Sequence, residues 1–431
     1  MTSNISRRSF VSSAAGIGLA GTLGLNRIGQ ADINDQLGKA DHCIMIWLGG
    51  GEGQIDTWDP KEKGDPKAKK SGSYYDKIDT AIPGVQVTKP LSRCAKILDR
   101  FVLCRTVNHD TVDEHAAATN RMHTGRPTSG TIIYPSIGSI VAHERPVDDP
   151  SIPSYVVMGY PNLTRGPGFL GAKYGYLYLT DSEAGPPALQ KQHDLTEQRL
   201  RRRDELLRRM RKGYIEKHAA EQVIADYDVT IERAARLSGP EFMKLFNIKD
   251  EPSALRESYG GEFGQRCLLA RRLIQSGVRF IEVSHNLNFL NGTGWDVHNE
   301  GIQNQHLLID ELDRALSSLV LDLEKNNLLD RTLIMVSTEF GRPAAFDGRG
   351  GRGHHSGSFS VTLAGGGLKL GQAIGTTDEK AMKILSQPVT VPDLFATAFS
   401  ALGIDHKKEL YAGDRPVPIT DMGKPIANAL A

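Results

Sequence analysis

The sequence predicts an α/β fold, a mostly parallel central sheet with helices on both faces. Three observations predict it. Six short apolar runs read as buried strands: Cys43–Leu48, Phe101–Val107, Ser154–Met158, Val278–Val283, Thr332–Ser337 and Phe359–Ala364. Helical patterns lie between several of them, and strands alternating with helices favour a parallel sheet covered on both sides. Polar residues gather just after the apolar runs, where an open sheet of this kind binds its ligands, beyond the carboxyl ends of the strands.

The chain begins with a different signal. Ser6-Arg7-Arg8-Ser9-Phe10-Val11 precedes a small-residue apolar run from Ala14 to about Leu25, too short to span a bilayer. Paired arginines followed by Ser-Phe resemble the twin-arginine export motif, so residues 1–31 read as a signal peptide with cleavage near Ala31. The twin-arginine translocase is the partner implied during export, and the periplasm or the outside of the cell is the destination. No later stretch reaches 18 apolar residues, so no stable membrane span is expected. Residues 32–431 remain, read as one α/β domain.

Charge is balanced at 52 basic and 51 acidic residues, which singles out no partner and gives no nucleic-acid footprint. Four cysteines are too few for a disulfide scaffold. Cys43 and Cys104 lie in strand-like runs and read as buried thiols, with a single disulfide left open.

The first strand runs into Gly49-Gly50-Gly51-Glu52-Gly53-Gln54-Ile55-Asp56-Thr57-Trp58-Asp59. Glu52, Asp56 and Asp59 offer carboxylates for a metal; a turn that only builds shape is the alternative. The loop lacks the GK[ST] ending of a phosphate-binding loop, and Gln54 stands where the third glycine of a dinucleotide fingerprint belongs. The second strand leads into His109-Asp110-Thr111-Val112-Asp113-Glu114-His115 and a helical run to His123. Acids there complement a helix N-terminus. Three histidines do not follow from that, and they suit zinc or another divalent ion.

The segment 190–246 is polar and helical, with eight basic residues between Arg199 and Lys212. It reads as a helical insertion whose charged run is either a polyanion patch or a solvated face. Gln265–Gln275 contains no Gly or Pro and reads as a helix. After the strand at Val278 comes Trp295-Asp296-Val297-His298, in which Asp296 and His298 are two ligands or an Asp orienting a His. Leu308, Leu312, Leu316, Leu319 and Leu323 form one apolar helical stripe. The last strands bring Glu339, a candidate ligand or base, and the run Gly350-Gly351-Arg352-Gly353-His354-His355. Arg342 and Arg352 are candidates to clamp a phosphate or sulfate.

These residues carry a resemblance. The series Gly-Gly-x-Gly-Gln-x-Asp-Thr-Trp-Asp-Pro-Lys (50–61), Met-His-Thr-Gly (122–125), Trp-Asp-x-His-Asn (295–299), Glu-Phe-Gly-Arg (339–342), Gly-Gly-Arg-x-His-His (350–355) and Ala-Gly-Gly-Gly (364–367) looks like the domain-of-unknown-function-1501 family. The resemblance runs from about Asp41 to Leu402 and implies kinship with the sulfatase and alkaline-phosphatase superfamily. His115 to Gly125 is similar to the sulfatase segment that starts with the modified nucleophile and ends in Thr-Gly. Val391-Pro392-Asp393-Leu394 through Ile404 resembles the helix that closes that fold. The catalytic pattern departs. The nucleophile position falls on His115, the paired acids after the first strand fall on Gly49 and Gly50, and the Asp-His pair of the phosphatases falls on Glu339-Phe340.

The resemblance implies a metal-dependent hydrolase of sulfate or phosphate esters. Zinc, calcium or magnesium would be held by some of Asp56, His109, Asp296, His298, Glu339, His354 and His355. Arg342 or Arg352 would neutralise the transferred group, and the nucleophile would be a water held by the ion, Thr111 or His115. An anionic ester or a sulfated or phosphorylated glycan is the expected partner. The alternative is a non-catalytic surface protein binding an anionic glycan or a protein partner.

Overall fold

Strands β1 (His42–Trp47), β2 (Phe101–Asn108), β3 (Tyr155–Met158), β4 (Leu177–Leu179), β5 (Phe280–Ser284), β6 (Thr332–Ser337), β7 (Phe359–Gly365), β8 (Gln372–Ile374) and β9 (Val389–Thr390) form one sheet in the computed structural model. Described are residues 38, 40–159, 163–180, 185–186, 196–218, 221–237, 240–286 and 293–431. The expected signal peptide, residues 1–31, lies outside them. The order is β8-β2-β7-β6-β1-β5-β3-β4, with β9 also paired to β2. Every pairing is parallel except those of β7, which runs against both β2 and β6.

All six apolar runs are strands. The one expected at Val278 starts two residues later, because the preceding helix ends on left-handed Gly277 and the Val278 N–H closes back onto Leu273 O at 3.1 Å. β1 and β6 are buried along their whole length, which is why they read as continuous apolar runs rather than alternating ones.

The helices used below are α1 (His115–Thr124), α2 (Ile137–Glu144), α3 (Glu197–Lys217), α4 (Gln222–Leu237), α5 (Glu262–Ser276), α6 (Gln305–Lys325) and α7 (Val391–Ala401). α5 and α6 cover the face of the sheet presenting Ile44, Ile46, Ile281 and Val283, and the expected stripe of α6 buries Leu312, Leu316, Leu319 and Leu323 there. α1, α2 and α7 cover the opposite face, against Cys43, Met45, Trp47 and Phe280. Helices therefore lie on both faces of a mostly parallel sheet. All four cysteines are free and buried, and burial pushes the Cys104 and Cys267 thiols up to about 12, so neither is a nucleophile at neutral pH.

One charged residue is buried in the middle of β5. Glu282 accepts from Arg165 Nε at 2.5 Å and faces His123 Nε2 at 3.3 Å, all three side chains being buried. Burial alone would raise its carboxyl pKa, but Arg165 and His123 outweigh burial and hold it at about 2. A depressed carboxyl stabilises the fold above the unfolded pKa of about 4.3 and loses that contribution as pH falls toward 2. Glu282→Gln is expected to lower stability at pH 7 by about 3 kcal/mol, the equivalent of the shift. It should also flatten the acid limb between about pH 4 and 2. Urea midpoints at pH 7 and pH 3 check this: equal losses at both would show that the carboxylate is not depressed.

Candidate metal centre

Parallel strands deliver their outgoing loops to one edge of the sheet. There β1 opens into 48–53, β2 into 109–115, β5 into the loop ending at His298, and β6 into Thr338–Arg342. The reversed strand β7 is entered at the same edge, which brings His354 and His355 in from its N-terminal side. Gly50 makes the approach of these loops possible. Its φ is +117°, and a Cβ there would stand 2.5 Å from the Asp296 backbone nitrogen.

Side chains converge on one atom, Asp296 Oδ1. His298 Nε2 lies 3.1 Å from it, and His115 Nε2 and His354 Nε2 each 3.6 Å. His298 Nε2 and His354 Nε2 stand 2.9 Å apart. The donor atoms of His115, Asp296 and His354 all lie within 4.8 Å of one another. Asp296 is buried, the His115 and His354 side chains are 14% and 12% exposed, and that of His298 is 33% exposed. Two ring nitrogens at hydrogen-bond distance around a shared carboxylate fit a cation: three imidazoles and one carboxylate are the donor types a zinc-like ion takes.

His115 is held from behind. Glu114 caps α1, its carboxylate accepting from the Ala116 and Ala117 N–H groups at 2.9 and 2.5 Å. That sets His115 at the first helical position. Its Nδ1 bonds Glu339 Oε1 at 2.7 Å, and the same oxygen accepts the Gly50 N–H at 2.7 Å. An imidazole that donates Nδ1–H to a carboxylate turns its Nε2 lone pair outward, the usual arrangement behind a metal-ligating histidine. Asp113, at φ +58°, places a largely exposed carboxylate 3.3 Å from His354 Nδ1. Burial lowers the His115 pKa, but Asp296 and Glu339 outweigh it and lift the ring to about 9 with no ion bound, so a cation would have to displace the Nε2 proton. His298 moves the other way, lowered by burial and by the neighbouring Arg342 against the pull of Asp296.

The structure brings His115, Asp296, His298 and His354 together and puts Glu339 behind them as an orienting carboxylate. It does not bring in the other expected ligands. Asp56 is buried in a two-pronged ion pair with Arg352, at 2.7 and 2.9 Å. Glu52 accepts from the Thr57 hydroxyl, and burial pushes its carboxyl up to about 8. Asp59 pairs with Lys61 at 3.0 Å. His109 is held on Glu339 O at 2.6 Å, with the Thr111 N–H donating to its other nitrogen at 3.2 Å. His355 bonds Met382 O at 3.2 Å, and burial lowers the pKa of both rings.

Arg342 and Arg352 correct the expectation of an anion clamp. The five N–H groups of Arg342 go to Gly51 O, Arg352 O, Gly353 O, Gly50 O and Asp296 Oδ1, the last at 2.7 Å. Those of Arg352 go to both Asp56 oxygens and to Gly72 O, Pro343 O and Ala344 O. A guanidinium has five donors, so both are saturated inside the protein. Glu114 stands at the helix N-terminus where the sequence analysis weighed acids; what that analysis missed is Asp113 as a neighbour of His354 and Glu339 in its position behind His115. Their only sequence signal is an acid immediately before a helix or beside a histidine.

Solved structures similar to this chain include the following three. The lipoteichoic acid synthase LtaP from Listeria monocytogenes is 10% identical, with 93% of this chain and 81% of that one covered and a TM-score of 0.41. The PsFucS1 sulfatase from Pseudoalteromonas sp. is 11% identical over 91% of this chain and 72% of that one, TM-score 0.41. Alkaline phosphatase from the Antarctic bacterium TAB5 is 13% identical over 76% and 93%, TM-score 0.33. No curated protein sequence matches the chain. A family profile described as protein of unknown function (DUF1501) matches residues 40–430, and the chain belongs to that family.

Proposed function

We propose that this protein is an exported, metal-dependent hydrolase of sulfate or phosphate esters. The observation that carries the reading is the meeting of three imidazole Nε2 atoms on the single oxygen Asp296 Oδ1. His115, Asp296, His298 and His354 would hold a divalent ion. Nitrogen-rich donors favour zinc over calcium or magnesium, which take oxygen. When bound, the ion supplies Lewis-acid polarisation of the ester oxygen and offsets the charge on the leaving group. Glu339 keeps the His115 Nε2 lone pair directed at the centre. Arg342 donates to Asp296 Oδ1 and holds that carboxylate in place. Asp113 sets a negative charge beside the His354 ring. His115, held at both ends by carboxylates, is assigned as a ligand rather than a nucleophile. Export by the twin-arginine translocase to the periplasm or beyond is part of the same proposal, with an anionic ester or a sulfated or phosphorylated glycan as substrate. Among the described residues no helix is long and apolar enough to cross a membrane.

One observation favours a second reading, a non-catalytic binding protein on the same fold: neither Arg342 nor Arg352 keeps a donor for a transferred anionic group. Metal analysis of the folded chain separates the two. The hydrolase reading expects about one zinc per chain and hydrolysis of aryl sulfate or aryl phosphate esters that stops on chelation. Substoichiometric metal with no hydrolysis of either ester would leave only binding.

A further inference from the structure

Helix α3 is amphipathic in an unusual sense: its apolar stripe faces away from the protein. Leu206, Met210 and Tyr214 follow one another at helical spacing and are 58%, 70% and 56% exposed, with Leu207 beside them at 45%. The half-buried side of the helix is made instead by Asp204, Arg211, Ile215 and His218. At 3.6 residues per turn that side lies about 110° round the axis from the stripe. It is the side that docks, since Arg211 reaches Asp228 of α4 at 3.5 Å. The stripe is therefore no part of the packing of α3 on α4.

Charge says what the stripe fits. α3 holds nine basic residues against four acidic ones, in a chain whose whole balance is +1. Arg202 and Arg209 border the stripe on one side, and Arg203 and Lys217 lie along it. A merely solvated helix has no reason to align leucine, methionine and tyrosine on its open side. A protein groove for apolar anchors would not by itself select a surrounding fence of arginines. A layer of anionic headgroups over acyl chains meets both halves: arginine stems run down toward the apolar level while their heads stay with phosphates. The helix spans about 31 Å, and its low mean hydropathy suits lying in the interface rather than crossing it.

We propose that α3 is a surface anchor that lays its Leu206-Met210-Tyr214 stripe into an anionic phospholipid surface and so holds the protein at a membrane face without spanning it. The test uses the purified chain in co-sedimentation with vesicles of phosphatidylcholine alone or mixed with phosphatidylglycerol. Binding is expected to the mixed vesicles, to weaken steeply with salt, and to be marginal on phosphatidylcholine. Leu206→Glu with Met210→Glu is expected to lower the partition by about a hundredfold, since each apolar side chain kept in water forfeits about tenfold. Arg202→Glu with Arg209→Glu should remove the preference for phosphatidylglycerol. All four side chains are exposed, so far-ultraviolet circular dichroism and metal content serve as fold controls. Mixed-vesicle binding unchanged in both double variants would overturn the proposal, as would no binding by the parent. Two other outcomes also overturn it. One is a dimer in sedimentation velocity that Met210→Glu dissociates, which would give the stripe to a second copy. The other is binding to heparin but not to vesicles, which would give the arginines to a soluble polyanion.

Discussion

On the proposed metal-centre reading, Asp296→Ala is expected to abolish metal binding and to lower stability by about 3–5 kcal/mol, the range for removing one partner of a buried ion pair. Two losses coincide because one oxygen serves two purposes. It is the point on which His115, His298 and His354 face, and among the described residues it is the sole carboxylate bonded to Arg342, at 2.7 Å. Without it, the buried guanidinium keeps its carbonyl partners but loses its bonded counter-charge, with Glu339 acting only from farther away. His354→Ala separates the effects. It removes one imidazole nitrogen and leaves the Asp296–Arg342 pair, so metal occupancy falls while stability drops by about 1–2 kcal/mol at most. Zinc per chain and urea midpoints for the two variants read both quantities. Full metal content in Asp296→Ala would place the centre elsewhere.

Arg352→Met is expected to cost about 3–5 kcal/mol of stability and to leave metal binding per folded molecule unchanged. The change strands the fully buried Asp56 carboxylate and frees the carbonyls of Gly72, Pro343 and Ala344. Asp56→Ala strands the guanidinium instead. Removing both partners together is expected to recover part of the loss, because neither buried charge is then left alone. A double-mutant cycle on urea midpoints measures that coupling. Loss of metal with wild-type stability in Arg352→Met would return this arginine to the functional centre.

The contrast between Arg342 and Arg352 as expected and as found shows where the sequence stops being legible. Strands β1, β2, β3, β5, β6 and β7 were readable because each is an apolar run long enough to cross a buried sheet. Leu177–Leu179, Gln372–Ile374 and Val389–Thr390 were not, being two or three residues at or near the sheet's margins. His115, Asp296, His298 and His354 were readable as candidates because each follows or precedes a strand, and parallel strands deliver their loops to one edge. What Arg342 does was hidden. Its partners are mostly backbone carbonyls of loops distant in sequence, and carbonyls carry no residue signature. Asp56 belongs to the same class: nothing local distinguishes a carboxylate that meets a metal from one that meets a guanidinium 296 residues away. Glu339 was legible as functional chemistry but not as an orienter, since that depends on which ring comes to rest against it.

Arg342 also has a mechanical consequence. By gripping the carbonyls of Gly50, Gly51, Arg352 and Gly353 together with the Asp296 side chain, it rivets three separate loops into one rigid frame. On the proposed reading a cation would meet a socket already cast, and its coordination would forfeit little conformational freedom. Capture would need no chain movement, and an emptied socket would keep its shape for the next ion.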